Sequence, residues 1–309
     1  MPRKPIDAFA VSLMVVLCVI WGMQQVAIKL VAADMSPLLQ VGMRSGVAAL
    51  VIAFIVLVRR EHAALGGTWK PGLLVGTLFG LEFIFIGEGL RFTNASHMAI
   101  FLYTAPLFAA LGLHLMRPEE RLNMVQWAGI FAAFAGVVLS FAGRGESAAG
   151  TLVWLGDLLG ILAGAFWGAT TVVVRGSKLS DSPASLTLLY QLLGGFLLAS
   201  GAAAALGQTE VRVTPGLLAS LGFQSIIVAV ISYLAWFMLL RTYLASRLGV
   251  LTFLTPIFGV IAGVVVLSER LEAGFVLGAL LIMGGILLVS GRDVLLRRRQ
   301  CSTPIVPST

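Results

Sequence analysis

The sequence predicts an all-α membrane protein of ten transmembrane helices, arranged as two inverted five-helix repeats. Three observations carry that reading: an extreme apolar composition, ten separate apolar runs, and an internal duplication. Of 309 residues, 59% are hydrophobic and 11% charged, with a mean hydropathy of +0.99. A water-soluble domain carries about twice that charged fraction, so lipid is the predicted solvent. A bilayer core admits helices or closed barrels. Barrel strands alternate with period two, whereas "LMVVLCVIWG" and "ALLIMGGILLVSG" are apolar on every side. Helices are the prediction.

The ten predicted segments are 8–30, 36–58, 71–91, 95–116, 122–142, 154–175, 184–206, 215–240, 246–267 and 272–291. Each approaches the roughly 20 residues that span a hydrocarbon core. Arg3 and Lys4 precede the first run without a small-residue cleavage site, so that run reads as a retained helix. Gly156, Gly160, Gly164 and Gly168 recur every fourth residue in the sixth segment, as do Gly72, Gly76 and Gly80 in the third. Such stripes let backbones approach closely. Pro106 and Pro256 are expected to bend the fourth and ninth segments.

With the N-terminus placed inside, fifteen Lys and Arg fall on inner segments and five on outer ones, while Arg44 lies within a helix. That bias predicts both termini in the cytoplasm of an inner (plasma) membrane protein. The +7 net charge then reflects orientation, not nucleic-acid binding.

The halves echo each other. Trp21-Gly22 precedes Pro37 by the same step as Trp167-Gly168 precedes Pro183. "PGLL" begins at Pro71 and Pro215. Ala95-Ser96 leads to Pro106 as Ala245-Ser246 leads to Pro256. Glu120-Arg121-Leu122 is followed by Gly129 and Gly136, and Glu269-Arg270-Leu271 by Gly278 and Gly285. Residues 1–145 and 146–295 are thus read as two repeats, with 296–309 as a disordered cytoplasmic tail. Five helices per repeat force the second to enter upside down. Inverted repeats are the usual basis of alternating access, with the ligand between them near the midplane.

At these residues the chain resembles the EamA domain of the drug/metabolite transporter superfamily. The marks are Trp21-Gly22, Lys29, Arg44 and the blocks "ASHMAIFLYTAP…EERL" and "ASRLGVLTFLTP…SERL". The resemblance implies ten helices, cytoplasmic termini and secondary transport, commonly export of amino acids or related metabolites. Relatives also handle sugars, nucleotide sugars and drugs. Tyr190 stands where the second repeat would match Arg44, and Glu82 and Glu88 have no required counterpart.

Those asymmetric positions are the first candidates for substrate chemistry. Arg44 lies about 10 Å below the outer surface and Glu82 near the midplane, at 1.5 Å per residue. Intramembrane charges are costly and mark pathways. Glu82 is expected to bind a cationic group or carry a coupling proton, with Arg44 holding a carboxylate or pairing structurally with an acid. Glu88 is a second proton candidate, or an interfacial partner of Arg91. Gln25, Tyr103, Trp167, Thr171, Tyr190, Gln224 and Tyr233 complete the predicted pocket for a small-molecule substrate. His97, His114, Asp157 and Lys29 are read as interfacial.

Neither a Walker-type loop nor a Cys/His metal cluster occurs, and Cys18 and Cys301 form no disulfide framework. No enzyme, cofactor or metal is therefore expected. The rival reading is a polytopic binder or membrane enzyme that transports nothing.

Overall fold

The computed structural model describes residues 7–61, 65–116, 121–142, 152–243, 248 and 251–301. Arg3, Lys4, Arg117, Glu120, Arg144, Ala245, Ser246, Arg247, the 145/146 boundary and the chain beyond 301 lie outside the described residues.

The helices are α1 (Ala8–Leu30), α2 (Pro37–Val58), α3 (Leu65–Phe92), α4 (Ala95–Leu102), α5 (Ala105–Met116), α6 (Met124–Ala142), α7 (Val153–Gly176) and α8 (Ala184–Ala205). Then come α9 (Pro215–Gly222), a π-helix (Phe223–Ser232), α10 (Tyr233–Thr242), α11 (Leu254–Leu267) and α12 (Ala273–Cys301). Among the described residues, seven stretches are long and apolar enough to cross a membrane; they match the first four and the sixth to eighth predicted segments. Shorter apolar helices, Met124–Ser140, Leu254–Leu267 and Ala273–Val289, occupy the fifth, ninth and tenth.

Helix signals explain the boundaries. Asp7 caps α1 by accepting from the Ala10 amide, and Ser36 caps α2 ahead of Pro37. The last helix runs to Cys301. Two expectations are corrected. The third helix begins at Leu65, so Pro71 lies inside it; the lost bond falls near an exposed, glycine-containing end. The fourth segment is broken, not bent: α4 stops at Leu102, and Pro106 falls in the first turn of α5, where its missing N–H costs nothing.

The exterior is apolar, with Leu50, Phe54, Leu73, Leu115, Phe131 and Val265 each more than 60% exposed. Gln24, Gln25, Gln40, Arg44, Glu82, His97, Asp157 and Gln224 are buried. Apolar surface faces outward because lipid, not water, surrounds the bundle.

The duplicated motifs mark contacts between repeats. On α1, a Cβ at Gly22 would lie 2.7 Å from the Gly259 nitrogen of α11. Correspondingly, a Cβ at Gly168 of α7 would lie 2.9 Å from the Ala109 nitrogen of α5. Gly129 and Gly136 of α6 press on Gly285 and Gly278 of α12. Hence the first helix of each repeat lies on the fourth of the other, and the two fifth helices lie on each other. Two ends of the bundle follow from the chain direction. The terminal end carries Asp7 and Tyr243, whose hydroxyl donates to the Asp7 carboxylate at 2.7 Å. The far end carries the α1–α2 turn, Thr93 and Asp157. α1 runs toward the far end and α7 away from it, which is the inversion.

The third helices break the symmetry. Gly72, Gly76 and Gly80 of α3 lie on Tyr190, Gly194 and Leu198 of α8, close enough that a Cβ on Gly194 would collide with the Gly76 carbonyl. The counterpart of α3 is α9, the π-helix and α10, with no glycine from 223 to 242. Pro71 to Ala95 is 24 steps, whereas Pro215 to Ala245 is 30. The wide i→i+5 turns of the π-helix use more residues per turn and absorb part of that surplus.

Candidate functional site

The break between α4 and α5 places Tyr103 at the centre of the bundle, where its ring meets Trp167 of α7 edge-on at 5.3 Å. From the other repeat, α11 brings Thr255 beside Tyr103 and Cys18. α1 supplies Trp21, edge-on to Trp236 at 5.8 Å and 6.4 Å from Tyr233. The Trp21 indole N–H donates to Ser232 Oγ at 2.8 Å.

Two charges stand among these rings. The Arg44 guanidinium lies 4.4 Å over the Phe83 ring, a cation–π contact that partly offsets its burial. Glu82 and Tyr233 both fall within its electrostatic reach. Arg44 is 3% exposed and Glu82 is 5%. They form no ion pair within 4 Å; Arg44 Nε and one terminal nitrogen, and Glu82 Oε2, have no hydrogen-bond partner. Gln25 Oε1 and Thr255 Oγ1 are buried and unpartnered too. Leaving a buried polar group unsatisfied costs about 1–3 kcal/mol, and more for a charge. Such a concentration of unused donors and acceptors suits a ligand that brings both charges and satisfies both.

The structure thus brings together Arg44, Glu82, Tyr103, Trp167 and Tyr233, and Gln25 is buried on α1 one turn beyond Trp21. The other candidates have hydrogen-bond partners of their own. The Tyr190 ring packs over Gly72 and its hydroxyl lies 3.2 Å from Thr68 Oγ1, toward the terminal end. Its match to Arg44 is one of sequence step only, because α8 turns that residue toward α3. Thr171 bonds back to the Trp167 carbonyl at 3.2 Å. Gln224 donates to Gln40 and Ser220, each at 3.0 Å; Gln40 in turn donates to the Ile28 and Met35 carbonyls, pinning α1, α2 and the π-helix together near the far end. Glu88 accepts from Arg91 at 2.7 Å and from Gln208 at 2.6 Å, the interfacial pairing and not a place inside the pocket.

Sequence reasoning missed the buried polar groups of the far end. His97 and Asp157, expected at the interface, are 4% and 0% exposed. His97 Nδ1 is 3.1 Å from each Asp157 oxygen. Ser232 was missed as well. It stands 13 residues before Ala245, as Glu82 stands 13 before Ala95. Counting back from the Ala-Ser pairs gives that match.

The solved structures include a chain of the same fold, with a TM-score of 0.61 and 21% identity, covering 96% of this chain and all of that one. Among curated proteins, an uncharacterised transporter of Bacillus subtilis is 29% identical over 91% of each chain. A probable amino-acid metabolite efflux pump of Salmonella typhimurium is 29% identical over 93% of this chain and 94% of its own. Its Escherichia coli counterpart in name is 28% identical over 87% and 90%. Residues 8–142 and 154–291 each match the EamA-like transporter family. The duplicated contacts and the two family matches cover the same halves, and the chain belongs to the EamA-like transporter family: it is a membrane transporter, not an enzyme.

Proposed function

We propose that the protein exports small zwitterionic metabolites, amino acids foremost, by alternating access through ten membrane crossings, with both termini in the cytoplasm of the inner membrane. The observation that carries this is the pair of buried, unpartnered charges on neighbouring helices. Arg44 would take the substrate carboxylate, while Glu82 takes its ammonium group or a coupling proton. Trp21, Tyr103, Trp167 and Tyr233 would flank the apolar part, and Gln25 and Thr255 would supply further hydrogen bonds. The two relatives named as amino-acid metabolite efflux pumps support the substrate class.

Liposomes holding purified protein, tested with labelled amino acids, sugars and nucleosides with and without a pH gradient, check the reading. Flux of amino acids that Arg44→Ala lowers at least tenfold is expected. Flux of sugars or nucleosides alone would reject the substrate class. Full and pH-independent flux in Glu82→Gln would remove the proton role.

A further inference from the structure

One turn of the first repeat, residues 93–97 at the junction of α3 and α4, is held by two acids of the second. Glu269, in the connection between α11 and α12, accepts from the Ala95 amide at 2.7 Å, the Ser96 amide at 3.0 Å and Ser96 Oγ at 2.6 Å. Asp157, in the first turns of α7, accepts from the Thr93 hydroxyl and pairs with His97. Asp157 and Ser96 are fully buried and Glu269 is 9% exposed. The site is shaped for the carboxylate: a side chain at Gly263 would strike both Ser96 Oγ and Glu269 Oε2. His97 stacks on Phe275 of α12 at 3.8 Å. From α1, Lys29 donates to the Thr93 carbonyl and lies within electrostatic reach of Glu269.

The position of this clasp gives it a role. On its far side is a cavity of about 720 Å³, lined by Lys29, Asp34, Ser36, Arg91, Gln208 and Arg212 among others. In the other direction, α1 leads turn by turn from Lys29 through Gln25 to Trp21 in the central site. Arg44 and Glu82 are buried beneath it. Opening a path from the cavity to those charges requires the repeats to separate at this end, and the clasp is made of bonds between repeats. The opposite end uses the same register: Tyr243, two residues before Ala245 as Thr93 is two before Ala95, bonds to Asp7 at the start of α1.

We propose that the 93–97 turn is the outer gate of the transporter, held shut by Glu269 and Asp157 and parted each time the central site faces outward. The proposal rests on the alternating-access reading, but its test needs no substrate. Gln25→Cys is made in a chain carrying Cys18→Ala and Cys301→Ser, and a membrane-impermeant thiol reagent is added outside right-side-out vesicles. Glu269→Gln is expected to speed modification at position 25 at least tenfold, and Asp157→Asn to do likewise. An unchanged rate in folded, monodisperse Glu269→Gln protein would overturn the proposal, as would a rise seen only with reagent sealed inside. Should Glu269→Gln not fold, Ser96→Ala removes one donor and serves the same test with a smaller rise; its unchanged rate would then count against the gate. Absence of flux for every substrate class in liposomes would defeat the transport reading, while the labelling result still decides whether this turn opens.

Discussion

The third helices of the two repeats began as copies and now do different work. α3 is bare along Gly72, Gly76 and Gly80, and lies hard against α8. It holds Glu82 in place by backbone contact. Counted back from the Ala-Ser pairs, its counterpart has Ile226 and Val230 where α3 has Gly76 and Gly80, and winds through a ten-residue π-helix that ends at Ser232, beside Tyr233. At the same register from the Ala-Ser pair, one helix offers a carboxylate and the other a hydroxyl bonded to Trp21. The duplicated residues pack one repeat on the other, whereas the binding chemistry sits where duplication has been lost. A rigid helix with a fixed charge faces a more loosely wound one, a suitable division of labour for a site that must both hold a ligand and release it.

The largest effect is expected at the two buried charges. Arg44→Ala leaves Glu82 buried without the cation in its electrostatic reach, and an uncompensated buried charge is costly. Flux in liposomes is expected to fall at least tenfold, with a lowered thermal midpoint in detergent. Arg44→Lys should recover the stability more than the flux, because ammonium lacks the planar fork that grips a carboxylate. Recovery of full flux by lysine would show that a point charge suffices.

Packing comes next. Gly194→Val should cost about 3 kcal/mol or more, since the added carbons fall on the Gly76 backbone. Ile226→Leu on the π-helix, at a half-exposed position, should shift the thermal midpoint little. Equal losses for the two would mean that both third helices are equally rigid. Ser232→Ala removes the acceptor for the Trp21 indole and should cost about 1 kcal/mol. A larger loss of flux than of stability would sharpen the assignment of Ser232 to the site. Smallest is Tyr190→Phe, which gives up only the contact with Thr68: about 1 kcal/mol at most, and unchanged flux. A tenfold drop in its transport would return Tyr190 to the pocket.

Composition and period alone determined that the chain is a helical membrane protein, because long apolar runs have no other stable form in lipid. The repeated Trp-Gly, Ala-Ser and Glu-Arg-Leu steps also revealed two equivalent halves. Arg44 and Glu82 stood out for a local reason, since a charge inside an apolar run is conspicuous wherever the chain folds. Tertiary structure decided which residues meet. That Glu269 caps the Ala-Ser turn of the other repeat, 173 residues away, has no local signature. Nor does the burial of His97 and Asp157, which look interfacial by depth and become a pair only when α4 and α7 cross. Depth along a helix can be counted from sequence, but the direction in which a side chain points depends on the neighbour that packs against it. For that reason Tyr190, equivalent by count, turns away from the site, and Ser232 turns toward it.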